Sequence, residues 1–200
     1  MKTPWRETLG LWGAYMASDG APPAESFDVF PTLRRRNDVA LVGLSSGVPR
    51  LPLLATGEVG EAQLARAERL LGELGRQGLC RVVMIHHPPL PESRFKWLSD
   101  RADFQAMIRR VGCELVLHGH NHRSEVGRID GPLGPVPVLG VASASAAPDG
   151  KYGRARYHLI HIERETTAWR LKVEIRALNA QATGCEPDGE LVLRSPAAPH

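Results

Sequence analysis

CRVVMIHHPPL (residues 80–90) and ELVLHGHNH (114–122) decide how this chain is read. Each is a short, continuous apolar run that stops abruptly in histidines. A run with no polar alternation suits a strand buried on both faces, as in a parallel sheet covered by helices. Pro88 and Pro89 cannot donate to a ladder, so the first strand must stop at them. Five of the chain's eight histidines lie in these two stretches: His86, His87, His118, His120 and His122.

The segments around these runs support a helix–strand–helix–strand order. From Glu61 to Gly75, Leu64, Ala67, Leu70, Leu71 and Leu74 recur on one helical face, and Gly78 ends the following turn. A second helix is expected from Asp100 to Val111, closed by Gly112. Upstream, TLRRR and VALVGL flank Asn37-Asp38 and read as two strands around a tight turn. Thr3-Pro4 and the spacing of Trp5, Leu9, Trp12 and Met16 predict a further helix, stopped by Gly20. Residues 21–31 read as a loop, and 45–60 holds too many breakers for regular structure.

After His122 the pattern becomes antiparallel. EVGRID, VPVLGVAS, ARYHLIHIE and WRLKVEIRAL read as successive strands joined by turns such as Asp130-Gly131-Pro132. The last alternates Leu171, Val173 and Ile175 against Lys172, Glu174 and Arg176. Residues 179–200 read as a loosely structured tail. In a parallel α/β sheet the ligand site lies beyond the carboxyl ends of the strands, where both histidine clusters fall.

Composition narrows the function classes. A net charge of +3 without a basic stripe interleaved with aromatics gives no nucleic-acid footprint, so no nucleic-acid partner is expected. Arg34-Arg35-Arg36 reads as a solvated strand end. No apolar stretch approaches the roughly 18–20 residues of a membrane span, and the N-terminus carries no signal-type apolar region. Cys80, Cys113 and Cys185 lack metal-type spacing, and the first two border buried strands, so they read as free thiols. A cytoplasmic location is expected.

Neutral imidazole is the commonest protein ligand of transition metals. His120 and His122 project to the same side if the chain stays extended, and Gly119 permits close approach of a ligand or backbone. A single histidine at a strand end is usually just a hydrogen-bonded residue. Two clusters at neighbouring strand ends point instead to a metal site. His158 and His161 fall on opposite faces of a late strand and read as structural, and His200 is terminal.

IHHPPL followed by LVLHGHNH resembles the last two metal-binding motifs of the calcineurin-like metallophosphoesterases. FPTLRRR, VALVGLSS, LATGEVGEAQL and VASASA with RARYHLIHIE extend the likeness over residues 5 to 178. The resemblance implies a four-layer α/β/β/α sandwich, here incomplete on its N-terminal side. It implies two divalent metal ions (manganese, iron or zinc), with His86 and His120 on one and His122 on the other. His87 is then the catalytic candidate, touching substrate phosphate or orienting the site, and in the family a neighbouring histidine protonates the leaving oxygen. His118 and Asn121 flank the ligands as supporting residues. The implied activity is metal-dependent hydrolysis of a phosphate mono- or diester, the substrate being a small-molecule or lipid-derived phosphoester.

The family's Asp-x-His, Gly-Asp and Gly-Asn-His-Asp motifs are absent from the sequence. Residues 1–178 therefore match the later portion of the domain. Without those carboxylates the chain is expected to hold at most one metal, to be weakly active or inactive, and to associate through uncovered sheet. The alternative is a non-catalytic remnant or interaction module of the same fold. A metallo-β-lactamase motif is excluded, because His122-Arg123 stand where Asp-His would be required. The segments 91–99 and 123–135 border the expected site.

Overall fold

A computed structural model describes residues 11–24, 26–48, 55–90, 97–147 and 153–197. β1 (Thr32–Arg36) turns back antiparallel onto β2 (Val39–Gly43). Asn37 sits in the turn with φ 50°, a left-handed conformation its short polar side chain tolerates. β2 then pairs in parallel with β3 (Cys80–Ile85), β3 with β4 (Leu115–His118), and β4 with β6 (Pro135–Gly140). β5 (Glu125–Asp130) closes the far edge antiparallel to β6, so the six strands run β1-β2-β3-β4-β6-β5.

The two helices expected from apolar spacing form α1 (Glu61–Arg76) and α2 (Arg101–Val111), each within a residue or so of the predicted limits. They link β2 to β3 and β3 to β4 as crossovers, and both lie on one face of the sheet. Leu64, Ala67, Leu71 and Leu74 of α1, with Phe104, Met107 and Ile108 of α2, pack on Val83, Ile85, Val116 and Val138. A fully buried side chain such as Leu71 or Phe104 contributes about 1.5–3 kcal/mol. The start of α1 is held from α2. The Asp100 carboxylate accepts the Val59 and Gly60 N–H groups at 2.8–3.1 Å, which satisfies donors that a helix start leaves open.

β7 (Arg156–Arg164), β8 (Ala168–Leu178) and β9 (Cys185–Pro196) form a separate antiparallel meander. Trp169, Leu171 and Val173 pack on Cys80, Val82, Leu115 and Leu139 of the first sheet. β3 is thus covered on both faces over its first four residues, as its largely apolar sequence requires, and Met84 near its end is exposed. The described residues supply three layers: helices, a mixed six-stranded sheet and a three-stranded sheet. Of the expected four, the outer helical layer is not found among the described residues.

Two segments differ from the sequence reading. The tail expected to be loose contains β9, whose Leu191 and Leu193 join the core between the sheets. Pro187, Asp188 and Gly189 hide it by interrupting its alternation; the ladder absorbs them in a register shift at Ile175/Arg176. Asp188 itself is fixed by ion pairs from Arg154 and Arg156. The strand expected through Ser143 stops at Gly140. Of the helix predicted from Thr3 to the stop at Gly20, residues 3–10 lie outside the described residues; in the remainder only Leu11 and Trp12 are helical, and residues 13–20, Met16 included, form turns and bends instead.

Candidate metal centre

The parallel register of β3 and β4 brings the two histidine stretches together. Ile85 is level with His118, and one step further the Gly119 N–H donates to the His86 carbonyl at 3.1 Å. Both strands end here, so the residues that follow hang over the carboxyl edge of the sheet. Beyond β4 the chain does not remain extended. His120 and His122 have φ of 66° and 57°, and the Asn121 N–H donates to the Gly119 carbonyl at 2.8 Å. The expected alternation of His118, His120 and His122 on one face is therefore replaced by a left-handed curl.

That curl brings His120 against His86 and His87. Its Nδ1 lies 3.1 Å from His86 Nε2. The ring centroids are 5.1 Å apart for His86–His120, 4.5 Å for His87–His120 and 5.0 Å for His86–His87. One nitrogen of each of the three rings lies within 4.8 Å of the others, a span that one cation can bridge. His122 falls outside this group, yet its charge is felt at His86. Burial, and then His122, hold His86 below the ordinary imidazole range, which favours the neutral, ligating form.

His118 turns away from the three rings. It is buried, with Nδ1 3.2 Å from the Gly119 carbonyl and Nε2 3.8 Å from the Glu125 carboxylate. Its ring fills the space a side chain would need at Gly140, where a Cβ would lie 2.8 Å from His118 Cε1. The Asn121 side-chain amide donates to both oxygens of Glu125 at 3.1 and 3.3 Å. Glu125, at the head of β5, thus braces both flanking residues. Its place three positions after His122 was the only hint of this in the sequence.

Ser46 and Gly57 were not singled out from the sequence either. Ser46 follows β2, and its Oγ lies 2.9 Å from His87 Nδ1 and accepts the His87 backbone N–H at 3.3 Å. Gly57 lies flat against the same ring; a Cβ there would be 2.1 Å from His87 Nδ1. The Glu58 N–H donates to the Ser46 carbonyl, and Gly57 pairs with the 97–99 segment, so the two contacts share one backbone frame. Of the segments expected to border the site, 97–99 contributes this frame, residues 91–96 lie outside the described residues, and 123–135 is largely β5.

The remaining candidates lie elsewhere. His158 and His161 sit on β7 of the second sheet, His161 with its Nε2 3.3 Å from Glu174. Cys80 and Cys113 are buried free thiols whose ionisation burial suppresses, and Cys185 is exposed. His200 lies outside the described residues.

The donor set fits one transition-metal ion. Two or three imidazole nitrogens on one ion leave at least one coordination position open, as in hydrolytic zinc sites. Among the described residues no carboxylate joins the group within the same reach. No described helix is long and apolar enough to cross a membrane.

No protein-family model matches the chain, and no curated protein matches it in sequence. Among solved structures, a dimetal phosphatase from Danio rerio is similar over 66% of this chain at 13% identity, with a TM-score of 0.48; the chain spans 38% of that protein. A single-substitution variant of Vps29 from Entamoeba histolytica is similar over 76% of this chain and 98% of its own, at 13% identity and a TM-score of 0.32. Wild-type Vps29 from the same organism, complexed with zinc, covers 78% and 98% at 13% identity and a TM-score of 0.29.

Proposed function

We propose that this chain is a metal-binding phosphoester hydrolase of calcineurin-like type, with one divalent ion held by His86 and His120 and with slow turnover. The observation that carries the reading is the convergence of His86, His87 and His120 at adjacent parallel-strand ends. Zinc and iron suit an imidazole-rich site, whereas manganese prefers oxygen donors such as carboxylates, which the group lacks among the described residues. A cation there supplies positive charge for a phosphoryl oxygen and lowers the pKa of a coordinated water. His86 and His120 provide neutral nitrogen donors. His87, held beside them, faces the same ligand and offers a ring N–H to a phosphoryl oxygen.

Slow turnover follows from the charge balance. A second cation a few ångströms from the first would be repelled, and among the described residues no carboxylate stands in the group to offset that repulsion. His122, outside the group, then has no second ion to serve. The same observation favours a second reading, in which the metal-bearing edge is a non-catalytic binding surface.

Equilibrium dialysis against zinc and manganese, followed by hydrolysis of bis(p-nitrophenyl) phosphate, separates these readings. One ion per chain with slow, metal-dependent release of nitrophenol supports the hydrolase. One ion with no hydrolysis supports the binding surface. Two tightly held ions would overturn the single-ion assignment, and no ion at all would remove both.

A further inference from the structure

We infer that Ser46 is a positioning residue that donates its hydroxyl proton to His87 Nδ1, fixing His87 as the Nε2–H tautomer that meets a phosphoryl oxygen. This rests on the hydrolase reading for the phosphoryl partner, but the tautomer itself follows from hydrogen-bond bookkeeping. Ser46 is 2% exposed, so its hydroxyl cannot be satisfied by solvent. The oxygen already accepts the His87 backbone N–H, which is a donor and can take no proton in return. Among the described residues, the acceptor within reach of the hydroxyl proton is His87 Nδ1, at 2.9 Å. The opposite arrangement, with Nδ1–H donating to Oγ, would strand a buried hydroxyl proton, which costs more than the bond returns.

The surroundings keep the ring in this pose. Gly57 lies so close to Nδ1, Cγ and Cε1 that the imidazole cannot swing to that side. The Ser46 carbonyl is tied to Glu58, and the Ser45 N–H and carbonyl to the Gln63 side chain on α1. The hydroxyl is therefore presented by a braced loop. The consequence is a division of labour between adjacent histidines. His86 presents a lone pair to a metal, whereas His87 presents a proton and does not serve as the third ligand.

Long-range proton–nitrogen NMR on zinc-loaded, nitrogen-15-labelled chain tests the assignment, with His87→Gln identifying the His87 signals. His87 is expected to show a protonated Nε2 and an unprotonated Nδ1. Ser46→Ala should release it into a tautomer mixture and lower kcat on bis(p-nitrophenyl) phosphate roughly three- to tenfold with KM within about twofold. Ser46→Thr should restore both. A protonated Nδ1 on His87 in the wild-type chain overturns the inference even if hydrolysis is observed. So does a Ser46→Ala spectrum with the tautomer unchanged. Should Ser46→Ala fail to fold, the wild-type and Ser46→Thr spectra still decide. Absence of hydrolysis in zinc-loaded wild type removes the phosphoryl role and the hydrolase reading together, leaving the tautomer to be judged by NMR.

Discussion

At the scale of single residues, the site depends on two histidines held where histidine is uncommon. His120 and His122 have positive φ, a conformation that costs a non-glycine residue about 1–2 kcal/mol. That cost is borne where it swings His120 onto His86, so His120→Ala should abolish the convergence. Isothermal titration with zinc should show affinity falling at least about 10–100-fold, the effect known for residues that merely support a ligand. Gly57→Ala tests the packing of the neighbouring ring. A Cβ 2.1 Å from Nδ1 must displace His87, so loss of hydrolysis with fold retained, read by circular dichroism, is expected. Buried imidazoles also set an acid limit. His118 is held below its ordinary value chiefly by burial, against opposing contributions from Gly119 and Glu125; His86 and His158 are lowered chiefly by burial too. For a group lowered on folding, the unfolded chain takes up the proton first. Stability is thus full above the unfolded-chain value near 6.5 and falls as pH drops through the folded value. Urea unfolding at stepped pH should show this loss, up to about 1.4 kcal/mol per pH unit from the buried His118 and less from the more exposed His86 and His158, and His118→Gln should flatten it.

At the scale of elements, a buried ion pair ties the helix layer to the sheet. Arg81 lies on the helix-facing side of β3. Its guanidinium meets Glu114 at 2.7 Å and donates to the carbonyls of Leu71, within α1, and Val111, the last residue of α2, at 3.1 and 2.8 Å. Glu114 in turn accepts the Arg81 backbone N–H at 2.6 Å. Gly75 makes room, since a Cβ there would lie 2.5 Å from Arg81 Nη1. Arg81→Met would leave Glu114 buried and unpaired, which should cost about 3–5 kcal/mol in urea unfolding; replacing both partners with apolar residues should recover much of that. Nothing in the sequence marked this clasp. Arg81 interrupts an apolar run, and its partner lies 33 positions away. What the sequence carried was periodicity: α1, α2 and the buried strands β3 and β4 were legible because their apolar spacing is set by the layers they join. β9 was not, because Pro187 to Gly189 break the period that Leu191 and Leu193 resume. In the site, His86, His87 and His120 were legible as residues near a strand edge. The curl that separates His122 from them depends on backbone angles that no spacing encodes, and Ser46, Gly57 and Glu125 act only through contacts made after folding.

At the scale of the whole molecule, the two sheets do not cover each other evenly. The Arg164 guanidinium reaches the Gly78 carbonyl, so the second sheet sits over the start of β3. Cys80 and Val82 beneath it are sealed, with Leu115 and Leu139 beside them. Met84, two residues further on the same face, is 38% exposed, and its parallel partner Leu117 is only partly buried. The opening therefore begins two residues before His86, and apolar sheet surface borders the metal-bearing edge. β5 adds Val126, 59% exposed, on the outermost strand of the same sheet among the described residues. Apolar surface beside an unpaired strand edge favours association between chains. Sedimentation velocity should accordingly show an average mass that rises with protein concentration. Met84→Lys places a charge in the opening beside the histidines but replaces none of them, so it should shift the distribution toward monomer while zinc is still bound, with an affinity somewhat lowered by the added positive charge. A wild-type chain that sediments as a monomer at every concentration would mean that the opening near Met84 does not drive association. Loss of zinc binding in Met84→Lys would mean instead that the uncovered face and the histidine cluster form one cooperative unit.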